Sequence, residues 1–304
     1  MNGDINFAVK VYNGLGNRFR TIATAIVYTK YFETELLLNW SSTRGFDETP
    51  LTDLIDFEYF SKKYNVKLIS NEEYEKIENN SVLLHKKFEG VHENHDKTHN
   101  KEIDLSERDN RKQNIKDFFG KKWKNIAVRT GENMLNIFQP EVDSIIKDAW
   151  SVFDNAMKDI KPTNHILDKS SKTLKQFSGN TIVHIRRGDA TNTEFYSEHK
   201  DRYSSDIGKY VRRVRELLDS KYDNVFISTD CSVALNEFKI NFPHNCISYE
   251  KTFSESVWHK QKLGQVDARV EQHLLSCTNH LLMSEWSTFS DFAKIYADLS
   301  TEIV

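Results

Sequence analysis

The stretch from Thr181 to Asp189, Thr-Ile-Val-His-Ile-Arg-Arg-Gly-Asp, constrains the fold more than any other part of the chain. A β-branched run carries His184 between apolar neighbours, and Arg186, Arg187, Gly188 and Asp189 follow where a strand would end. In open α/β sheets ligands gather outside the carboxyl ends of strands, and a guanidinium offers a planar fork of donors matched to phosphate oxygens. Phosphate binding is therefore the first reading of this pair. The structural alternative leaves Arg187 as a solvated charge and pairs Arg186 with Asp189.

Strand ends of the same kind flank this stretch on both sides. Upstream, residues 5–12 alternate as a first strand and Asn13-Gly14-Leu15-Gly16-Asn17 follow as a turn. A helix then starts near Arg18, with Phe19, Ile22, Ala23, Ile26, Val27 and Phe32 at helical spacing. The glycines let a ligand approach the main chain, and a helix start supplies free amides. A glycine turn between strand and helix is also common for purely structural reasons. Further strands are expected over 35–40, 66–69, 82–84 and 126–129, with a short helix over 57–64.

Downstream, Val225 to Ser228 reads as a strand that ends in Thr229 and Asp230, with Asp230 either an N-cap or a ligand contact. A helix over 267–277 leads to a strand over 280–284, and Ser287-Thr288-Phe289-Ser290 opens the last helix. Hydroxyls there cap the helix, and beside free amides they also make a phosphate cradle. Polar residues at three strand ends point to one crevice.

A long helix over 141–158 is followed by polar punctuation across 161–179, which marks a domain boundary. The expected domains are residues 1–165, with a charged insertion near 70–125, and residues 166–304. A chain of 304 residues can give each its own core. His85, His92, His95 and His99 suggest a metal site only weakly, and a solvated loop is the better reading. The net charge of −3, from 42 basic and 45 acidic residues, gives no field for nucleic acid, so any anion site is local. Three widely spaced cysteines without a CxxC pair argue against disulfides and zinc and read as reduced, mostly buried thiols. No leader-like start and no apolar run of membrane-spanning length occur, so a cytoplasmic protein without a transmembrane segment is expected.

Taken together, Gly14-Leu15-Gly16-Asn17, His184-x-Arg186-Arg187-x-Asp189, Ser228-Thr229-Asp230 and Ser287-Thr288-Phe289-Ser290 resemble the fucosyltransferase superfamily, which includes α-1,2-, α-1,6- and protein O-fucosyltransferases. The ordered set covers nearly the whole chain, and HxRRxD is its most specific part. The resemblance implies an α/β protein of GT-B type, two Rossmann-like domains facing a cleft, with an acceptor-side first domain and a second that holds a GDP-sugar. It implies metal-independent, inverting transfer of fucose from GDP-fucose to a glycan acceptor, with no cofactor and no metal. By the same resemblance Arg186 binds the β-phosphate, His184 and Asp189 hold the nucleotide or its surroundings, Thr229 and Asp230 lie by the guanosine, and Ser287, Thr288, Phe289 and Ser290 lie by the diphosphate. Gly14, Leu15, Gly16 and Asn17 fall beside the donor, and Arg186 and Asn17 are the catalytic candidates. The family's guanine-contacting acid would fall near Val270, which makes Glu271 the nearest carboxylate. Such an enzyme could be peripheral at a membrane where glycans are built.

No Asp-x-Asp motif occurs, which suits chemistry without a metal. Negative charge growing on the departing β-phosphate then needs fixed cations and amide donors. Rival readings are the same fold with another nucleotide sugar, a non-catalytic nucleotide or phosphosugar binder, and a structural α/β protein. Because successive strand residues face opposite ways, Arg186 and Arg187 are not expected to share one phosphate.

Overall fold

The computed structural model describes residues 6–41, 48–85, 101–104, 124–130, 145–177, 180–185, 206–253, 264–284 and 287–304. The chain divides into two compact units, Met1–Thr43 with Asp56–Lys161, and Arg44–Ile55 with Pro162–Val304.

In the first unit β1 (Asn6–Val11), α1 (Leu15–Phe32) and β2 (Leu36–Asn39) form a βαβ start. Then come α3 (Phe57–Tyr64), β3 (Val66–Leu68), α4 (Asn71–Glu78), β4 (Val82–His85), β5 (Lys101–Asp104), β6 (Asn125–Thr130) and α5 (Ala149–Lys158), while α2 (Leu51–Leu54) belongs to the second unit. The sheet order is β3-β2-β1-β6-β4-β5, with every pair parallel. From β1 the chain winds outward through β2 and β3, and its later strands lie on β1's other side. The sheet therefore reverses between β1 and β6.

Helices cover both faces, so the strands are apolar in consecutive positions rather than alternately. Phe7, Val9 and Val11 of β1 are fully buried, as is Ala8. Phe7 meets the rings of Tyr28 and Phe32 on α1, while Ala8 packs with Tyr74 of α4 and Ala127 of β6. Ser70 and Glu73 close a capping box at the start of α4, which fixes where that helix begins.

The second unit contains α2, α6 (Asn164–Leu174), β7 (Asn180–Ile185), α7 (Ile207–Ser220), β8 (Asn224–Thr229), α8 (Ser232–Asn241), β9 (Cys246–Ser248), α9 (Gln265–Ser276), β10 (His280–Met283), α10 (Thr288–Ala297) and β11 (Ser300–Ile303). Its sheet order is β11-β10-β7-β8-β9, again all parallel, so this sheet reverses between β7 and β10. Val225, Ile227 and Leu282 pack with Tyr210, Val214 and Phe238 on one face. Phe226, Leu281 and Met283 pack with Ile166, Val270, Leu274 and Ala293 on the other. Fully burying one such side chain is worth about 1.5–3 kcal/mol, so alternation along β8 alone ties two layers of helices to the sheet.

Several expectations need correction. The polar stretch over 161–179 is not a linker throughout, because Thr163 caps α6 by accepting from the Ile166 amide and Ile166 lies fully buried in the second core. Residues 51–54 also belong there: Leu51 and Leu54 are buried, the Arg269 Nε donates to the Leu54 carbonyl at 3.4 Å, and Thr163 Oγ1 donates to that of Asp53 at 3.0 Å. The expected continuous helix over 141–158 is interrupted at Asp148, which is left-handed at φ 61, and α5 begins only at Ala149. The cysteines are not mostly buried: Cys231 and Cys246 are half-buried and Cys277 is exposed.

Candidate functional site

Each sheet's reversal lies beside a strand that the sequence singled out. At the carboxyl end of β1, Asn13 is left-handed at φ 65, Gly14 is the extended N-cap of α1, and Leu15, Gly16 and Asn17 form the helix's first turn rather than the turn before it. That first turn carries no acidic residue and no side-chain cap, so its free amides leave the positive end of the helix dipole uncompensated by side chains of its own. Leu15 and Gly16 are buried and Asn17 is half-buried.

Arg18 holds this turn from beneath. Its side chain is fully buried, Nε donates to the Asn13 carbonyl at 2.9 Å, and the guanidinium carbon lies 4.7 Å from the centre of the Trp40 ring. Trp40, just past β2, also stacks on Phe19 of α1. An arginine inside a helix start is easily read as a surface charge, which is why the sequence did not mark it.

In the second unit the parallel register brings the marked strand ends together. Ile185, the last residue of β7, is opposite Thr229 of β8, and His184 is opposite Ser228. Leu281 and Leu282 of β10 flank Ile182 and Val183 on the other side. The exits of β10, β7 and β8 are thus side by side at one edge of the sheet, around its reversal. Arg186, Arg187 and Asp189 lie outside the described residues, while the described chain places His184 one residue before the end of β7.

Thr229 is buried, and its hydroxyl accepts from the Cys231 amide at 3.2 Å. Asp230 is exposed and is not the N-cap of α8, a position held by Cys231. Ser287 does cap α10, accepting from the Ser290 amide at 3.5 Å, and Ser290 Oγ returns a bond to the Ser287 carbonyl at 3.4 Å. Both serines are buried, whereas Thr288 and Phe289 are half-buried, with Phe289 packed on the second core. The hydroxyls fill the capping role, and the amides of the α10 first turn stay at the strand edge.

Glu271 lies on α9, 5% exposed, with Oε2 2.5 Å from the Lys251 Nζ. Burial raises its carboxyl above the ordinary range, Lys251 opposes the rise, and Asp230 and Asp267 add to it. The interaction with Asp230 links Glu271 electrostatically to the exit of β8. Tyr249 donates to Asp267 at 3.0 Å, and burial followed by that bond pushes its hydroxyl up to about 12. Lys251 and Tyr249 escaped the sequence reading because three-residue β9 was too short to register as a strand, so its exit was not searched. No group of three metal-ligating side chains occurs among the described residues, and the side chains of the suspected His85, His92, His95 and His99 lie outside them.

No family model matches the chain, and no curated protein matches it in sequence. Its fold is nonetheless that of solved GT-B fucosyltransferases. Fucosyltransferase NodZ from Bradyrhizobium superposes with a TM-score of 0.60 at 15% identity, covering 99% of this chain and 94% of that one. NodZ α-1,6-fucosyltransferase co-crystallized with GDP gives 0.59 at 16% identity, over 96% and 92% of the two chains. POFUT1 in complex with GDP-fucose gives 0.60 at 13% identity, over 99% and 97%. No helix among the described residues is long and apolar enough to cross a membrane.

Proposed function

We propose that this protein is a member of the fucosyltransferase superfamily that transfers fucose from GDP-fucose to a glycan acceptor, with inversion and without a metal. The observation that carries the reading is the coincidence of the marked residues with the sheet reversals. The glycine turn leaves β1 at one, and the exits of β7 and β10, toward Arg186 and Ser287, flank the other. Reversals are where doubly wound sheets bind ligands. The fold shared with proteins solved with GDP or GDP-fucose supports the same assignment.

In this reading the acceptor hydroxyl attacks the anomeric carbon, the bond to the β-phosphate oxygen breaks, and charge grows on that phosphate. Arg186 binds it, with the first-turn amides of α10 beside it, and fixed donors of this kind stabilise the developing charge without reorganising. His184 and Asp189 hold the surroundings of Arg186. Thr229, Asp230 and Glu271 lie by the guanosine. Gly14, Leu15, Gly16 and Asn17 are assigned to the donor by the family resemblance, with Asn17 a catalytic candidate beside Arg186.

A screen of nucleotide sugars against a glycan panel, reading released nucleoside diphosphate with and without a chelator, tests this directly. Release from GDP-fucose that a chelator leaves unchanged is expected. Strict metal dependence would overturn the mechanism, and equal stabilisation of the fold by UDP and GDP would overturn the guanosine assignment. Loss of GDP stabilisation in Arg186→Ala is expected, and its persistence would remove Arg186 from the site.

A further inference from the structure

The exit of β9 holds chemistry that the donor motifs do not account for. Lys251, three residues past that strand, reaches α9 and pairs with Glu271 at 2.5 Å, the two side chains being 13% and 7% exposed. Desolvating two charges costs about as much as their attraction returns, so a buried ion pair is a poor device for stabilising a fold. Buried charges of this kind gather where chemistry or recognition requires them, and this pair is at the carboxyl edge of the sheet. The groups facing Glu271 are Lys251 from the β9 exit, Asp230 from the β8 exit and Asp267 from its own helix. Burial, then the two aspartates, favours the protonated acid, and Lys251 opposes them.

We propose that Lys251 is a positioning residue that keeps Glu271 ionised and in one rotamer, so that its carboxylate can accept from the N–H edge of the donor's nucleobase. The inference rests on the donor site assigned above to the second unit. Guanine offers N1–H and its exocyclic amine side by side, two donors that a carboxylate matches with two oxygens. Uracil offers one N–H between two carbonyls, which an anion repels. A protonated Glu271 would put a donor where an acceptor is needed, so the Lys251 charge becomes part of base selection.

The test is calorimetric titration of GDP and UDP into the wild type, Lys251→Met, Lys251→Arg and Glu271→Gln between pH 5.5 and 8.5. Lys251→Met is expected to weaken GDP binding roughly tenfold at pH 6.5, with the deficit shrinking as pH rises and Glu271 loses its proton. Lys251→Arg should stay within about threefold of the wild type, because it restores the charge. Glu271→Gln should lose GDP preference at every pH. A deficit in Lys251→Met that is independent of pH indicates a merely structural role and overturns the proposal, as does no deficit.

If the wild type does not prefer GDP to UDP, it is the donor reading that fails. Carbon NMR titration of the Glu271 carboxyl in ligand-free wild type and Lys251→Arg or Lys251→Gln then decides the positioning role. A Glu271 titration that Lys251→Gln leaves in place overturns it, and an upward move restored by arginine supports it.

Discussion

Arg18 Nε and the carbonyl oxygen of Asn13 are 2.9 Å apart, and that bond closes a turn in which Asn13 takes a left-handed conformation at φ 65. The guanidinium is buried against Trp40, so the charge is shielded from water although Asn13 itself is exposed. Arg18→Met keeps the apolar stem but removes the bond and the ring contact. Hydrogen bonds to charged groups and desolvated cation–π contacts are each worth about 1.5–3 and 0.5–2 kcal/mol, so a loss of roughly 2–4 kcal/mol is expected in urea unfolding. A loss below about 0.5 kcal/mol would mean that the turn holds itself.

Asn13 itself offers the complementary test. Asparagine tolerates positive φ and glycine adopts it freely, whereas a β-branched side chain clashes there. Asn13→Gly should leave stability within about 1 kcal/mol of the wild type, and Asn13→Val should cost about 1–3 kcal/mol. Similar unfolding midpoints for the two variants would show that the turn relaxes to negative φ.

These residues also show what the sequence could reveal. The strand, glycine turn and helix at residues 6–32 were legible because period and turn chemistry are local, and the helix start was misplaced only because Gly14, not a polar side chain, is its N-cap. α3, with its Asp56 cap, was read over its full length. α6 and α2 were missed for a different reason. Few of their positions are apolar, and they become structure through what they bury, Ile166 in one and Leu51 with Leu54 in the other, against residues far along the chain. The Lys251–Glu271 pair spans 20 residues and joins a loop to a helix, a relation that no spacing rule encodes.

His273 gives the protein an acid-side weakness. Burial, followed by the charge of Arg269, lowers its imidazole to about 4 from an ordinary value of 6.5. Between those values the unfolded chain binds a proton that the native one refuses, so this contribution is complete above pH 6.5 and is lost as pH falls toward 4. His273→Gln should flatten thermal stability over that window. A wild-type imidazole resonance that titrates near pH 6.5 would defeat the prediction. The half-buried position and the contact to Cys277 at 3.7 Å are compatible with a neutral ring.

Tyr210 tests the strand edge itself. Its ring is fully buried on α7, and its hydroxyl lies 3.0 Å from the Met283 carbonyl and 3.1 Å from Ser284 Oγ, at the exit of β10. Tyr210→Phe removes one of two donors to the Met283 carbonyl, which keeps the Val304 amide at 3.3 Å, and should cost about 0.5–1.5 kcal/mol, while Ser284→Ala, which spares both, should cost less. The effect should reach beyond stability, because the amide of Ser287, the N-cap of α10, donates to the Ser284 carbonyl at 3.3 Å and ties that helix start to the end of β10. Under the proposed function Tyr210→Phe therefore reduces the rise in melting temperature that saturating GDP produces, measured against the variant's own ligand-free value. An unchanged rise would confine Tyr210 to holding the core, and a reduced one would tie the β10 exit to the diphosphate.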